Sequence, residues 1–337
     1  MFRSVYKRGR ILSKIPIKQH IQITHKHTMT SLDFTLNNGK TIPAIGLGTW
    51  KSTTEEVAGA VECALTEGGY RHIDTAFNYR NEDAVGLGIK RAMEKGVKRE
   101  DIFVTTKIWV TYHDRVEENL DMSLERLGLD YVDMLLIHWP VPLNPNGNDP
   151  VYPLRPDGSR DIDESGSQPK TWKQMEAVLK TGKTKSIGVS NFSIPYLEEL
   201  LKEAEVVPAV NQVELHPLLP QLELMEFCKK NNIVMTAFSP FGSVGGPLLK
   251  NELVVSLADK YNTSPGGILT SYHIGNGTVV IPKSVTNSRI VENGKSAVTL
   301  SQEDLKALND LHKTEGIHRT SKPKWGVDLG FPDFDFC

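Results

Sequence analysis

Cysteine is scarce. Cys63, Cys228 and Cys337 are the only three in 337 residues, with no CxxC and no zinc-type Cys/His spacing. That excludes a disulfide framework and points to reduced thiols in a reducing, cytoplasmic compartment. No apolar run approaches the roughly 20 residues that span a bilayer, so no membrane partner is expected. Excess charge of one sign is missing too: 39 Lys and Arg face 41 Asp and Glu. A nucleic-acid partner is therefore not expected. There is no GxGxxG, so a dinucleotide would not be held in the Rossmann manner. There is no HExxH, and His72, His113, His216 and His273 lack ligand spacing, so no metal is expected. "GVSNF" carries Phe192 where a nucleophile elbow needs glycine, which excludes serine hydrolysis on that motif. No long exposed apolar pattern demands a second subunit, so a monomer is expected.

The neutral total hides an asymmetry. Residues 1–28 hold seven Lys and Arg and no acid, with Arg3, Lys7, Arg10, Lys14 and Lys18 at helical steps. The segment is basic and crudely amphipathic, like a mitochondrial presequence; the alternative is an over-extended start, because Met29 opens a complete folded part. Either way residues 29–337 are read as the folded unit.

From Asp33 the chain alternates short apolar segments with amphipathic ones. "DFTLNNGKTIPAIGLG" reads as a hairpin around Asn38-Gly39. Eight strand–helix pairs follow, beginning at "AIGLG", "RHIDTA", "DIFVTTK", "YVDMLLIH", "TKSIGVS", "PAVNQVE", "IVMTAFS" and "TVVIPKS". Short apolar strands separated by helices predict a parallel sheet, and eight of them predict a (β/α)8 TIM barrel. Residues 140–170, after the fourth strand, form a Pro- and Gly-rich insertion too long for an ordinary connection, read as a functional loop. The C-terminal tail holds Trp325, Phe331, Phe334 and Phe336 and is expected to pack back on the barrel.

In such a barrel all strand C-termini share one face, where the chemistry is done. Asp74 ends the second strand with Tyr79 beyond it; Lys107 ends the third and His138 the fourth. Ser190 and Asn191 end the fifth, Gln212 and Glu214 the sixth, Phe238 and Ser239 the seventh, Lys283 and Ser284 the eighth. A lysine after an apolar strand needs a counter-charge, and Asp74 is its neighbour. The lysine's charge is expected to lower the tyrosine's pKa and make Tyr79 a usable acid. His138 adds a hydrogen bond where a carbonyl oxygen becomes an alkoxide. This set suits carbonyl reduction by an external hydride donor. Phe238 suits stacking on a nicotinamide, with Ser190, Asn191 and Gln212 for its carboxamide. Lys283, Ser284 and Arg289 open a helix and suit the 2′-phosphate of NADP.

Five segments, "GYRHIDTAFNYRNEDAVG", "LGLDYVDMLLIHWP", "GVSNF", "NQVELHP" and "IPKSVTNSRIVENGK", together resemble the aldo-keto reductase family over about residues 32–320. The resemblance implies a catalytic tetrad of Asp74, Tyr79, Lys107 and His138. It implies nicotinamide contacts from Ser190, Asn191, Gln212 and Phe238, with Ser239 beside them. Lys283, Ser284, Arg289 and Asn293 would hold the adenosine 2′-phosphate end of NADPH or NADP+. Trp50, Trp109, His138 and Trp139 would line the substrate pocket. The implied activity is NADPH-dependent reduction of aldehydes and some ketones or sugars, reversible as alcohol oxidation. The tail and the long loop resemble those of fungal glycerol dehydrogenase and glyceraldehyde reductase, implying glyceraldehyde, glycerol or related polyols. The competing expectation is a cofactor-binding regulatory or structural barrel without turnover. The sequence departs from the usual pattern at Gly266-Gly267 and Tyr272, read as packing, and at "TNSRI" before Arg289.

Overall fold

The computed structural model describes residues 32–243 and 245–334. The basic segment 1–28, Phe336 and Cys337 lie outside the described residues.

Ten strands and ten helices are found among these residues. The strands are β1 (Asp33–Thr35), β2 (Thr41–Pro43), β3 (Leu47–Gly48), β4 (His72–Asp74), β5 (Phe103–Ile108), β6 (Met134–Ile137), β7 (Ile187–Ser190), β8 (Val210–Glu214), β9 (Val234–Phe238) and β10 (Val279–Val280). The helices are α1 (Thr54–Thr66), α2 (Glu82–Glu94), α3 (Val116–Leu127), α4 (Gln168–Thr181), α5 (Ile194–Glu203), α6 (Leu222–Lys230), α7 (Glu252–Tyr261), α8 (Pro265–Gly275), α9 (Asn287–Lys295) and α10 (Gln302–Glu315).

β1 and β2 pair antiparallel, and the turn between them needs Gly39 at φ 78°. β3 to β10 form one parallel sheet in sequence order. It closes through a parallel bridge between Ile45 and Val280. The expected barrel is present with its hairpin. Consecutive order is what right-handed crossovers on a twisted sheet produce. β4 to β8 are buried along their whole length, which explains their apolar runs. The helices are amphipathic and capped by local chemistry. Thr53 and Glu56 make a capping box at α1, and Ser167, Asn251, Ser264 and Ser301 accept backbone N–H groups at theirs.

α8 is the exception: every residue from Gly266 to Ile274 is buried, under α7, α9 and α10. A Cβ on Gly267 would lie 2.5 Å from Thr263 Oγ1 and 2.6 Å from Ser296 O. The departure at Gly266-Gly267 is a packing requirement. Cys63 and Cys228 are buried and unbridged, and burial pushes the Cys228 thiol up to about 12.

Three boundaries differ from the sequence reading. Lys107 sits one residue inside β5, and Gln212 lies in the middle of β8. β10 ends at Val280, so Lys283 and Ser284 belong to the connection into α9.

Candidate active site

The registers of β4, β5 and β6 bring the first polar set together. Asp74 pairs with Thr105 and Lys107 with Leu136, so neighbouring strands deliver their side chains to one end of the barrel. Lys107 Nζ donates to Asp74 Oδ1 at 2.7 Å and to Thr75 O at 2.8 Å. Both side chains are essentially solvent-free. The chain after β4 makes one tight turn, Phe77–Tyr79, which the left-handed Arg80 ends. That turn returns the Tyr79 hydroxyl to within 3.4 Å of Lys107 Nζ. His138 follows β6 directly, with its ring 5.7 Å from Tyr79, edge to face. The structure thus unites the four residues that the resemblance names as a tetrad.

One electrostatic expectation is reversed. The Tyr79 pKa is not lowered: burial, and then the Asp74 charge, hold it well above the ordinary phenol value. Lys107 carries its charge into a dry site, and Asp74 absorbs much of it, so the expected fall does not occur. Desolvation also pulls the Lys107 pKa down, opposed by Asp74. His138 is held well below the usual imidazole value by burial and then by Lys107. Its imidazole is neutral at pH 7, and its Nδ1 is buried without a hydrogen-bond partner among the described residues. The site presents a neutral phenol and a neutral imidazole side by side. Both are donors suited to an oxygen that gains negative charge.

The residues expected to bind the amide lie on the adjoining rim. Gln212 Nε2 donates to Asp74 Oδ2 at 2.7 Å, an unforeseen link to the acid–lysine pair. Asn191 takes a left-handed turn at φ 62° just after β7, and its Nδ2 donates to His138 O at 2.9 Å. Ser190 Oγ donates to Gln212 O at 2.8 Å. Phe238, at the end of β9, is half-buried beside the left-handed Ser239 at φ 50°. An aromatic face next to amide and hydroxyl groups fits a nicotinamide carboxamide. Farther round, Lys283 and Arg289 are exposed at the entry and first turn of α9, and neither makes an ion pair among the described residues. Ser284 lies between them, and Asn293 is buried one turn on. Unpaired cations at a helix start fit a phosphate.

The wall facing this rim is aromatic. Trp109 lies 5.2 Å from the His138 ring, 5.3 Å from Tyr152 and 6.1 Å from Trp325; Trp325 lies 5.6 Å from Trp139. Trp109 and Trp139 thus belong to one cluster of rings beside His138, which Tyr152 joins from the long loop and Trp325 from the tail. Trp50 stands apart: it is 47% exposed, has Lys51 over its ring at 4.3 Å, and touches none of these rings. The loop is fastened down by Trp109 Nε1 donating to Val151 O and Thr111 Oγ1 to Pro150 O.

Glu214 plays a different part from its rim neighbours. Its carboxylate accepts from Thr320 N and Oγ1 and from Ser321 N at 2.6–2.8 Å. It ties the tail to β8. Burial pushes its pKa up, but the His216, Thr320 and Ser321 donors outweigh that and hold it down to about 2. The tail then runs to Arg319–Asp333, with Arg319 over the Phe331 ring at 4.5 Å. Among the described residues no group of three or more Asp, Glu, His or Cys side chains could hold a metal, and no helix is long and apolar enough to cross a membrane.

Residues 44–313 match the Aldo/keto reductase family. The chain is 54% identical to a D-galacturonate reductase of Hypocrea jecorina, over 90% of this chain and 99% of that one. It is 50% identical to a glycerol 2-dehydrogenase (NADP(+)) of Saccharomyces cerevisiae, over 89% and 96%. Among solved structures it resembles a Bombyx mori aldo-keto reductase in complex with NADP, with a TM-score of 0.75 and 36% identity over 83% and 92%. An aldose reductase from Schistosoma japonicum matches with a TM-score of 0.79 and 37% identity over 86% and 94%.

Proposed function

The chain belongs to the aldo/keto reductase family, and from that premise we propose that it reduces aldehydes, and some ketones and sugars, with NADPH. The same reaction runs backwards as alcohol oxidation. The observation that carries this reading is the buried Asp74–Lys107–Tyr79 chain with His138 across the tyrosine ring.

Ser190, Asn191, Gln212 and Phe238, with Ser239 at the same turn, hold the nicotinamide end. Lys283, Ser284, Arg289 and Asn293 hold the 2′-phosphate end. When bound, the cofactor supplies hydride to the carbonyl carbon. The chain supplies the rest. Tyr79 Oη and the His138 imidazole hydrogen-bond the carbonyl oxygen and polarise it. As negative charge grows on that oxygen, Tyr79 gives up its proton. Lys107, 3.4 Å away, stabilises the phenolate left behind. Asp74 keeps Lys107 charged and aimed, and Gln212 keeps Asp74 aimed. Trp109, Trp139, Trp325 and Tyr152 exclude water from the reacting oxygen.

The substrates fitting best are small hydroxylated aldehydes and their polyols, glyceraldehyde and glycerol among them. Aromatic walls stack on carbon faces, while the neutral donors grip one oxygen. Two of the relatives carry glycerol or glyceraldehyde in their names. We place the protein in the cytoplasm as a monomer, with mitochondrial import of residues 1–28 as the alternative.

The test is absorbance at 340 nm with purified protein, glyceraldehyde and xylose, with NADPH and NADH in parallel. Faster turnover with NADPH supports the reading. Tight NADPH binding with no turnover of any aldehyde would instead make it a cofactor-binding barrel.

A further inference from the structure

Resting on that reductase reading, we propose that Glu82 is a positioning residue for the proton transfer. Its buried carboxylate ties the Tyr79 turn to the strand that carries Lys107, and it backs the lysine's charge from the far side of that strand.

Tyr79 and Lys107 come from separate segments, and the contact between them is long, at 3.4 Å. That contact does not by itself fix their spacing. Glu82 opens α2, directly after the Tyr79 turn, and its side chain has no exposure. One oxygen accepts from Thr106 Oγ1 at 2.6 Å and the other from Ser123 Oγ at 3.0 Å. Thr106 precedes Lys107 in β5. Side chains alternate along a strand, so Lys107 faces the barrel interior and Thr106 faces the helices. The carboxylate therefore grips β5 on its outer face, one residue from the lysine. Arg126 of α3 closes the set. Its Nη1 lies 3.7 Å from Glu82 Oε2, and its guanidinium covers the Phe77 ring at 4.4 Å. Phe77 begins the turn that Tyr79 ends. On the other side Asn81 Nδ2 donates to Thr49 O, just after β3, at 3.0 Å. The turn after β4 is thus held from the strand on either side.

The charge acts as well as the tether. A buried carboxylate is unfavourable unless donors and cations face it. Those facing Glu82 are Thr106 and Lys107 of β5 and Ser123 and Arg126 of α3. Burial pushes its pKa up, and the two hydroxyls, then Arg126 and Lys107, pull against that. Lys107 in turn is faced by Asp74 and His72 of β4, by Tyr79, by His138 and by Glu82. Burial lowers the lysine's pKa, Asp74 opposes this most, and Glu82 adds to Asp74. The strand bearing Lys107 therefore has a carboxylate on each face.

Two variants separate the tether from the charge. Glu82→Gln keeps an acceptor for Thr106 and offers Ser123 an N–H, but removes the charge. Thr106→Val keeps the charge and removes the tether. Both are measured as whole enzyme with NADPH and glyceraldehyde, with sites counted by NADPH titration so that unfolded protein does not contribute. In E82Q the alkaline limb of the kcat profile is expected to move down by about one pH unit, because Lys107 with one carboxylate fewer loses its proton earlier. In T106V kcat per site is expected to fall about ten-fold or more at every pH, with NADPH affinity unchanged and the limb in place. T106S should restore it. A merely structural acid lowers Tm in these variants without moving the limb or kcat per site, and that result overturns the proposal while leaving the reductase reading standing. Where E82Q does not fold, T106V against T106S decides alone: a wild-type kcat per site in T106V overturns the proposal. No turnover of any aldehyde by the wild-type enzyme overturns both.

Discussion

At Tyr79 the outcome depends on which of two opposing effects on one phenol is larger. A lysine 3.4 Å away favours the phenolate, while burial and the Asp74 charge favour the phenol, and the latter prevail. The consequence for pH is direct. Tyr79 keeps its proton until pH passes its raised value, and His138 gains one only far below the ordinary imidazole value. The kcat for aldehyde reduction should therefore be flat between about pH 6 and 9, a range set by the reference values of the two groups. A limb falling within that window in a pH–rate profile would contradict the assignment. Asp74→Asn tests the pair beneath. It leaves Lys107 buried without its counter-charge, and denaturant unfolding should show a loss of about 3–5 kcal/mol. The Asp74–Lys107 pairing was legible in the sequence, because consecutive strands of a parallel barrel are neighbours. The sign of the tyrosine shift was not, because a sequence does not state how dry its strand ends are. Gln212 was legible as an amide ligand, but its bond to Asp74 depends on two strands far apart in the chain order.

At the scale of elements, the strands and helices were legible and the fastenings between them were not. Apolar runs and caps are local signals; the Glu214 bonds to Thr320 and Ser321 span more than a hundred residues. So do the contacts that bring Trp325 against Trp109. The sequence indicated that the tail packs, because its aromatics would otherwise be solvated, but not on what. Glu214→Gln should weaken the tail attachment by about 1.5–3 kcal/mol, the usual scale for hydrogen bonds to a charged group. Faster hydrogen exchange at the Thr320 and Ser321 amides is the expected sign. The pH sense follows from the depressed pKa. The carboxylate's contribution is complete above the unfolded glutamate value of about 4.3 and is lost as pH falls through about 2. Unfolding midpoints of wild type and variant should therefore converge as pH approaches the lower value. A gap that persists under acid would show that the charge is not what holds the tail.

For the whole molecule, eight strands in sequence order place the tetrad, the amide rim and the α9 cations at one end of a single barrel. Arg289→Ala should weaken NADPH by about ten-fold or more while altering NADH far less, because only NADPH carries the 2′-phosphate. Fluorescence titration of the two cofactors checks this. NADPH should also raise Tm with the logarithm of its concentration, adding about 2.7 kcal/mol of stability at a hundred times Kd. The most direct test of the central claim is single-turnover reduction of glyceraldehyde by Tyr79→Phe with NADPH already bound. The account predicts unchanged NADPH affinity and a rate lower by about 10²–10⁴-fold, the contribution of a positioned general acid. A variant that binds NADPH and reduces the aldehyde at the wild-type rate would contradict it.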